Sequence, residues 1–264
     1  MAFEEGKSVV TVTDHDRRYW QYEYDVADRF IAPLLDSWGV RPAGAAVLDV
    51  GCGEGGGLCA LHDRGGSCAG FDIEESRVQT ALSLRGPRAI EFVQGDVYAA
   101  GPPFGARQFD LVTLHDVFEH LDHKPAMIAR LKKYLRPGGK LLIRFPPYYS
   151  AYGGHQQHLR AWFARLPFFH LVPFSESRII PRLKGEAPHI VAEIQKLGRL
   201  RMGMKEFERI AAEGGMRVER RQAYLISPNH IRFGLRPVRA GFLARIPLVR
   251  EFACTGVIYL LSEG

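Results

Sequence analysis

The feature that most constrains the fold is an apolar run that ends in closely spaced glycines. Residues 45–50 (AAVLDV) have the character of a short buried strand, and Gly51-Cys52-Gly53-Glu54-Gly55 follows directly. Glycine tolerates the backbone of a sharp turn and leaves no side chain between a loop and a ligand lying against it. A helix is predicted next, over 55–64. A strand, a glycine loop and a helix in this order begin an open α/β sheet.

The alternation of strand and helix continues along the chain. Beyond the first strand, the predicted strands are 67–71, 88–93, 109–114, 140–145, 216–226 and 252–261, and the helices between them are 74–84, 125–134 and 205–212. Strands that alternate with helices in this way indicate a parallel sheet with helices on both faces.

Two segments lie outside this alternation. Apolar residues spaced by three or four predict an N-terminal helix over 15–38, which we expect to lie over the main domain. After Pro146-Pro147 the alternation stops, and residues 147–202 are rich in Pro, His and aromatic residues. Long connections inside a compact domain are usually functional. We therefore predict a single domain over 1–264, with a lid on the substrate side inserted at about 147–202.

Charge is unevenly divided along the chain. Residues 1–140 carry 16 Lys and Arg against 20 Asp and Glu, whereas residues 141–264 carry 19 against 9. The first half suits a cationic ligand. The second half suits an anionic metabolite, an anionic membrane surface or nucleic acid, or is simply a solvated basic face. The chain starts without the basic, apolar pattern of a secretory signal and has no run as long as a membrane span, which predicts a cytoplasmic protein.

Cysteine and histidine spacing predicts no metal site. The sequence has no C-x-x-C pair and no Cys/His cluster at zinc spacing among its four cysteines, Cys52, Cys59, Cys68 and Cys254. We expect these thiols to be buried and reduced. A zinc role for His155, His158 and His170 is disfavoured, because ligand spacing and cysteine partners are absent.

Three acidic residues stand where predicted strands end. Asp49 precedes the glycines, whose spacing also matches the phosphate-binding pattern G-x-G-x-x-G, yet acidic neighbours favour an ammonium-bearing ligand over a pyrophosphate. Asp72 can accept hydrogen bonds from both hydroxyls of a ribose, and Asp96 can accept one from an adenine amino group. Alone, Asp72 would more often cap a helix, and Asp96 would fit an ordinary turn.

Taken together, these motifs resemble the class I methyltransferases that depend on S-adenosylmethionine (SAM), and within them the small-molecule group that includes the ubiquinone and menaquinone methyltransferases. The matching segments, in chain order, are VLDVGCGEGG, FDIEES, FVQGDV and FDLVTLHDVFEHLDHKPAMIARLKKYLRPGGKLLI. The resemblance covers residues 40–146 and a plausible ending over 205–261. It implies a Rossmann-like α/β fold with a seven-stranded mixed sheet whose last strand is antiparallel. It also implies SAM as cofactor and S-adenosylhomocysteine (SAH) as product.

The resemblance also assigns the cofactor-binding residues. Those expected at the methionine end are Asp49, Gly51, Cys52, Gly53 and Gly55. The residues expected at the ribose and the adenine are Asp72, Ile73, Asp96 and Val97. His115 and Asp116 are expected near the methyl sulfonium.

Histidines and tyrosines mark the acceptor side. Methyl transfer requires an acceptor lone pair aligned opposite the departing sulfur, and a phenol, carboxylate or amine gains from a general base or a polar anchor. His115 and His155 are the catalytic candidates, although His115 fits a packing or hydrogen-bonding role equally well. The substrate-binding candidates are Tyr19, Tyr148, Tyr149, His155 and His158.

We therefore predict an enzyme that methylates a small acceptor, aromatic, amphipathic or anionic, with oxygen favoured over carbon or nitrogen because that chemistry prevails in the family. The alternatives are an RNA methyltransferase and a SAM-binding protein without transfer activity. A nucleotide-cofactor oxidoreductase is a third class, which should bind NAD rather than SAM. The sequence sets no oligomeric state.

Two further motifs bear on partners. Phe145-Pro146-Pro147-Tyr148 resembles the Pro-Pro-Tyr motif of amino-methyltransferases, but it follows the fifth strand instead of the fourth and has Phe in place of the polar residue. No DNA partner is predicted, and RNA stays a secondary alternative without a recognised RNA-binding appendage.

The Arg-rich tract 229–250 fits either peripheral contact with an anionic membrane or a solvated connection.

Overall fold

The computed structural model describes residues 11–101 and 103–264. The chain divides into two compact units, Met1–Arg107 and Gln108–Gly264. The first unit contains three of the strands and the glycine loop, and the second contains the other five strands and the inserted segment.

The sheet of the first unit is parallel. Its strands are β1 (Ala46–Val50), β2 (Ser67–Asp72) and β3 (Glu91–Gln94), in the order β3-β2-β1. The apolar run that predicts β1 is buried, as expected for a strand covered on both faces. In register, Val50 pairs with Phe71 and Asp72 with Gln94, so the three carboxyl ends meet at one edge of the sheet.

Helices cover these strands and extend the first unit at its amino end. The elements are α1 (Asp14–Val26), a π-helical stretch (Ala27–Ile31), α2 (Ala32–Ser37), α3 (Gly56–Asp63) and α4 (Glu75–Leu84). Thr13 begins α1 with a capping box, in which its hydroxyl accepts from the backbone of Asp16 and the Asp16 carboxylate accepts from the backbone of Thr13. The region predicted to be one helix over 15–38 contains these three helical elements, with a π-helical stretch in the middle.

The second unit has a mixed sheet. Its strands are β4 (Phe109–His115), β5 (Leu135–Phe145), β6 (Met216–Ile226), β7 (Val238–Arg239) and β8 (Gly256–Glu263), in the order β4-β5-β8-β6-β7. β4 and β5 are parallel, whereas β8 is antiparallel to both β5 and β6. The predicted antiparallel last strand is confirmed. The described strands number eight instead of seven, because the two-residue β7 adds to the edge beside β6.

β5 starts earlier than its sequence predicts. Phe109 pairs with Leu135, but the next pair is Leu111 with Lys140, so the intervening residues form an irregularity within the strand. Gly138, with φ +79°, and Gly139 lie in this bulge. Pro137-Gly138-Gly139 has the composition of a turn that ends the helix predicted over 125–134, but in the structure this segment lies within β5.

The helices of the second unit are α5 (Lys124–Lys132), α6 (Pro188–Leu200), α7 (Met204–Glu213) and α8 (Pro247–Ala253). The inserted segment is a series of short 3-10 and π turns that ends in α6, a helix that the sequence interpretation missed. It has a small core of its own, formed by Leu159, Ala164, Ile180 and Ile194. None of the described helices is long and apolar enough to cross a membrane.

Candidate functional site

The glycine loop after β1 has a backbone that only glycine adopts readily. Gly51, Gly53 and Gly55 have φ values of 76°, 55° and 82°. The backbone N–H groups of Gly51 and Cys52 donate to the carbonyl oxygen of Phe71 at 2.8 and 3.0 Å, which fixes the loop to β2. A Cβ atom on Gly55 would lie 2.6 Å from the ring of Phe92. The loop thus requires glycine both for its conformation and for its packing.

Asp72, at the end of β2, lies against this loop. Its Oδ2 accepts a hydrogen bond from the backbone N–H of Gly53 at 3.0 Å, and its Oδ1 accepts one from Glu74 at 3.0 Å. The helix-capping role considered for Asp72 is not observed, because the N-cap of α4 is Glu74 and no side chain caps this helix. A carboxylate offers about four lone-pair sites, so these two bonds leave it able to accept hydrogen bonds from a ligand as well.

The other cofactor candidates of the first unit lie on the same three strands or just beyond them. Asp49 is buried in β1. Asp96 accepts from the backbone N–H of Tyr98 at 2.8 Å, the local turn expected of an isolated Asp. Ile73 is 61% exposed, which leaves its apolar surface available to a ligand such as adenine, whereas Val97 is buried.

Two charged residues of this site, Glu23 and Arg77, were not singled out from the sequence. The Glu23 carboxylate accepts from the backbone N–H of Gly56 at 3.1 Å, and Arg77 makes two hydrogen bonds to Glu54, at 3.2 and 2.6 Å. Burial raises the pKa of Glu23 well above its usual value; the Glu54 charge raises it further, and Arg77 opposes the rise. The sequence signal for Glu23 is its place on the helix predicted to lie over the domain.

The charge around the loop selects between ligands. Among the described residues, the carboxylates of Asp49, Glu54 and Asp72 belong to or contact the loop region, against the guanidinium of Arg77, while burial favours the neutral form of Glu23. Such surroundings repel a pyrophosphate and attract a ligand with an ammonium or sulfonium group. The residues present therefore fit SAM. Tyr19 adds an aromatic ring, whose centre lies 5.8 Å from the Arg77 guanidinium.

The cysteine of the loop, Cys52, has an unreactive thiol. Burial raises the pKa of the Cys52 thiol well above its usual value, and the charges of Asp49 and Asp72 add to the effect. A thiol so held stays protonated and is a poor nucleophile or metal ligand. All four cysteines of the chain are free and buried, as the sequence predicts.

In the second unit, polar side chains gather where β4 ends. The register of the sheet places His115 beside Arg144, whose Nη2 lies 2.6 Å from Oδ2 of Asp116. Asn229 donates to the same oxygen at 2.8 Å. Burial favours the neutral acid of Asp116, but the charge of Arg144 and the hydrogen bond from Asn229 prevail, and its pKa lies below the usual value.

His115 is a weak base in this setting. Burial lowers its pKa to about 3, and the positive charge of Arg144 contributes. The imidazole is therefore neutral at physiological pH and binds a proton poorly. Among the described residues, Nδ1 of His115 and Oδ1 of Asp116 are buried without a hydrogen-bond partner. Unsatisfied buried groups of this kind often mark positions where a ligand completes the site.

A second group of titratable side chains follows in the turn after β4. Burial raises the pKa of Glu119 well above its usual value, with the Asp116 charge adding to the rise, and burial lowers the pKa of His120 to about 4. The ring of His155 lies 5.2 Å from that of His120, and its Nδ1 is 2.8 Å from Oε1 of Glu193. Glu119 and His120 follow His115-Asp116 in sequence and could have been found there. The pairing of His155 with Glu193 has no local sequence signal.

The predicted substrate residues of the second unit lie in different surroundings. Tyr148 is buried and packs its ring edge-on against His170 at 5.0 Å. His158 is exposed, with its ring 5.9 Å from that of His155. Tyr149 lines an open cavity of about 590 Å³. Its other lining residues are Leu200, Arg201, Gly203, Lys205, Glu206, Arg209 and Glu251.

Comparison with known proteins identifies the segment that contains the loop. Residues 48–143 match the family described as a methyltransferase domain. The match spans less than half of the chain and agrees with the resemblance to class I SAM-dependent methyltransferases that the sequence motifs indicate. It includes Asp49, the glycine loop and Asp72 of the first unit, and also the end of β4 with His115 and Asp116.

Two similar proteins each match less than half of this chain. Nocamycin O-methyltransferase of Saccharothrix syringae is 36% identical over 43% of this chain and 41% of its own length. Phosphoethanolamine N-methyltransferase 1 of Zea mays is 34% identical over 42% of this chain and 22% of its own length. The chain thus spans less than half the length of these relatives.

The fold has a broader likeness among solved structures. Magnesium protoporphyrin IX methyltransferase from Synechocystis PCC 6803, solved with bound SAH, aligns with a TM-score of 0.55 at 18% identity. The alignment covers 98% of this chain and 90% of that one. At this level of identity the likeness concerns the fold, which is the Rossmann-like α/β fold expected from the sequence.

Proposed function

We propose that the chain transfers a methyl group from SAM to a small-molecule acceptor and releases SAH. The observation that carries the proposal is the arrangement of the first unit, in which a glycine loop and Asp72 meet at one sheet edge among carboxylates. Asp72 is assigned to the ribose, the loop with Asp49 to the methionine end, and Asp96 with Val97 and Ile73 to the adenine. The acidic setting distinguishes this site from one that binds a dinucleotide.

Oxygen is the acceptor atom we propose. The sulfonium of bound SAM supplies an activated methyl group. In the proposed transfer, the acceptor oxygen would form a bond to the methyl carbon, the carbon–sulfur bond would break, and the hydroxyl proton would pass to a neighbouring base or to water. The similar proteins include an O-methyltransferase and several phosphoethanolamine N-methyltransferases, so nitrogen is the runner-up.

Of the two predicted catalytic histidines, His155 is better suited to the acceptor. With its pKa lowered to about 3, His115 binds a proton weakly and is better suited to hydrogen bonding or packing. His155 has a carboxylate partner in Glu193, which favours the tautomer with the proton on Nδ1. The lone pair on Nε2 can then accept the proton of an acceptor hydroxyl directly, or it can bind a cation that in turn binds the hydroxyl.

Basic and aromatic side chains on the surface of the second unit favour an amphipathic acceptor drawn from an anionic lipid surface. Within the tract 229–250, Phe233, Phe242 and Leu248 are 64, 70 and 72% exposed. Arg236, Arg239 and Arg245 are also exposed. Arg250 is not part of this surface, because it is buried and pairs with Glu208 at 2.7 Å. The exposed residues support the proposal of peripheral membrane contact. A cytoplasmic location is proposed as well, supported by the four free thiols.

The deciding experiment measures binding and turnover on the same preparation. Calorimetry with SAM and with SAH should give one site per chain, and NAD should give none. A panel of phenols, carboxylic acids, amines and RNA, assayed with methyl-labelled SAM, should then transfer label to a small hydroxyl compound. Binding without transfer to any acceptor would favour a SAM-binding protein, and salt-sensitive labelling of RNA would favour the RNA enzyme. Absence of SAM binding would contradict the proposal as a whole.

A further inference from the structure

Beyond the assigned methyl-donor residues, three potential metal ligands of the second unit come together. Glu119, His120 and His155 each offer one ligand atom, and these atoms all lie within 4.8 Å of one another. Oε1 of Glu119 and Nε2 of His120 are already only 3.7 Å apart. The sequence predicts no metal site here, since two of the ligands are adjacent in the chain and the third lies 35 positions after His120.

The carboxylate of Glu119 is the observation that points to a ligand. The residue is 2% exposed, and both carboxylate oxygens are buried without a hydrogen-bond partner among the residues that the structure describes. A buried carboxylate without compensation is strongly disfavoured. A cation bound at its oxygens would remove that penalty.

The neighbouring cations do not provide that compensation. Lys124 donates to the backbone carbonyl oxygens of Glu119 and Leu121. Arg144 pairs with Asp116 at 2.6 Å. Lys196 also bears on the cluster through its charge, and its Nζ lies 3.1 Å from Asp122. These positive charges contact other groups more closely, whereas the Glu119 carboxylate has no hydrogen-bond partner among the described residues and lies 3.7 Å from the His120 ring.

His155 is held in the way that metal-bound histidines usually are. Its Nδ1 lies 2.8 Å from Oε1 of Glu193. The Nδ1–H group therefore donates a hydrogen bond to this carboxylate, and Nε2 keeps its lone pair. A carboxylate behind a histidine fixes the orientation of the ring and makes it a better metal ligand. Glu193 thus supports the third ligand of the cluster.

We propose that Glu119, His120 and His155 bind a divalent first-row transition-metal ion of the Zn²⁺ type. Two imidazoles and one carboxylate are a known ligand set for such ions, and three protein ligands leave at least one position open. With metal–ligand bonds of about 2.0–2.1 Å, tetrahedral ligands lie about 3.3 Å apart. Small side-chain rotations bring the three atoms to that spacing.

The open position suggests what the ion does. A metal-bound water or hydroxyl loses its proton far more readily than a free one, so an acceptor hydroxyl bound there would become a better nucleophile. This catalytic role rests on the proposed methyl transfer, whereas metal binding itself does not.

The test measures metal binding by the full chain without SAM. Protein stripped with a chelator is dialysed against Zn²⁺, and in parallel titrated with Co²⁺ to record the absorption of the bound ion. One equivalent should bind, with a Co²⁺ spectrum that indicates nitrogen ligands. Glu119→Gln, His120→Ala and His155→Ala should each weaken binding more than tenfold, and Glu193→Gln about 10- to 100-fold. His189→Ala, at an exposed histidine, should match the wild type.

Two outcomes would overturn the proposal: no stoichiometric binding by the wild type, or binding that survives all three ligand substitutions. SAH calorimetry on every variant checks that the donor site remains folded. If the ligand variants do not bind SAH, the metal site is judged from two other results: the Co²⁺ spectrum of the wild type, and the metal affinity of the milder variant Glu193→Gln. Bound metal without methyl transfer would refute the proposed function alone, and transfer by protein that binds no metal would refute the metal site alone.

Discussion

The carboxylate of Glu23 accepts a hydrogen bond from the backbone N–H of Gly56 at 3.1 Å, across 33 positions of sequence. The contact is close, because a Cβ on Gly56 would lie 2.1 Å from the carbonyl oxygen of Trp20. Helix α1 therefore lies directly against the start of α3 and the glycine loop. Within the first unit, the N-terminal helix forms part of the proposed donor site.

Replacing Glu23 with Gln should change how stability depends on pH. Because the folded pKa is raised, the folded state retains a proton that the unfolded chain releases above about pH 4.5. The stability that this proton contributes is present below pH 4.5 and is lost as pH rises through the folded pKa. Glu23→Gln has no such proton to lose. Relative to the wild type, its free energy of unfolding should therefore rise by up to about 1.4 kcal/mol per pH unit between pH 4.5 and the folded pKa.

Urea unfolding at pH 5, 6, 7 and 8 measures this difference. The control is Glu75→Gln, at an exposed carboxylate of α4, whose curve should run parallel to that of the wild type. Parallel curves for Glu23→Gln would show instead that Glu23 is ionised freely in the folded protein.

Asp72→Ala should reduce SAM affinity by more than tenfold. The substitution removes the proposed ribose acceptor and also the bond to Gly53 N–H that orders the loop. Losing charge-assisted hydrogen bonds of this kind costs about 1.5–3 kcal/mol each. Calorimetry with SAM and SAH gives the measurement, with Glu75→Ala as the matched acidic control. Wild-type affinity in Asp72→Ala would remove Asp72 from the ribose site.

The sequence predicts well those features of the site that depend on local pattern. Asp49, the glycines and Asp72 follow apolar strands in a fixed order, so their common sheet edge could be expected before any coordinates. Glu23 and Arg77 could not be paired with the loop in this way, because their positions depend on how α1 and α4 pack. The Pro-Gly-Gly segment looked like a turn, yet strand pairing on either side makes it a bulge in β5.

The proposed acceptor side was less predictable for the same reason. The segment 147–202 lacks a regular period, and its short turns are held by packing around Ile180 and its neighbours. His155 was selected for its residue type, but its partner Glu193 lies 38 positions away on a helix that the sequence interpretation missed. Only tertiary structure brings His155 near His120.

Acid should destabilise the protein through His170. Its Nε2 donates to the carbonyl oxygen of Tyr148 at 2.7 Å, and its Nδ1 is buried without a partner among the described residues. Burial lowers its pKa to about 4, followed by a smaller effect of the His155 charge. The folded state thus excludes a proton that the unfolded chain binds below pH 6.5, so stability is full above 6.5 and falls as pH drops towards 4.

The loss attributable to His170 should reach about 3 kcal/mol by pH 4. His170→Gln can still donate to Tyr148 but does not titrate, so its unfolding free energy should fall less steeply between pH 6.5 and 4. His189→Gln, at an exposed position, should keep the wild-type slope. Chemical unfolding across this range provides the comparison, and an unchanged slope in His170→Gln would assign the acid sensitivity to other groups.

The membrane proposal predicts salt-sensitive binding to anionic vesicles. Burying one large apolar side chain contributes about 1.5–3 kcal/mol, so the double variant Phe242→Ala with Leu248→Ala should bind vesicles containing phosphatidylserine more than tenfold less tightly. Ile73→Ala, which removes an apolar side chain of the first unit that is 61% exposed, is the control. Sedimentation with vesicles measures both. A wild type that stays in the supernatant, or a double variant that binds normally, would contradict the proposal.

Gly55 and Gly57 offer a matched pair that separates backbone strain in the loop from general effects of adding a methyl group. Gly55 has φ +82°, and its Cβ would lie 2.6 Å from Phe92, whereas Gly57 has helical geometry and its Cβ would meet only Ala27, at 4.0 Å. Gly55→Ala should therefore destabilise the protein by about 2–4 kcal/mol and weaken SAH binding. Gly57→Ala should leave binding intact and stabilise by about 0.5–1 kcal/mol, because alanine favours the helix and restricts the unfolded chain. Urea unfolding and calorimetry on the two variants give the answer, and equal effects at both positions would show that the left-handed turn at Gly55 does not matter.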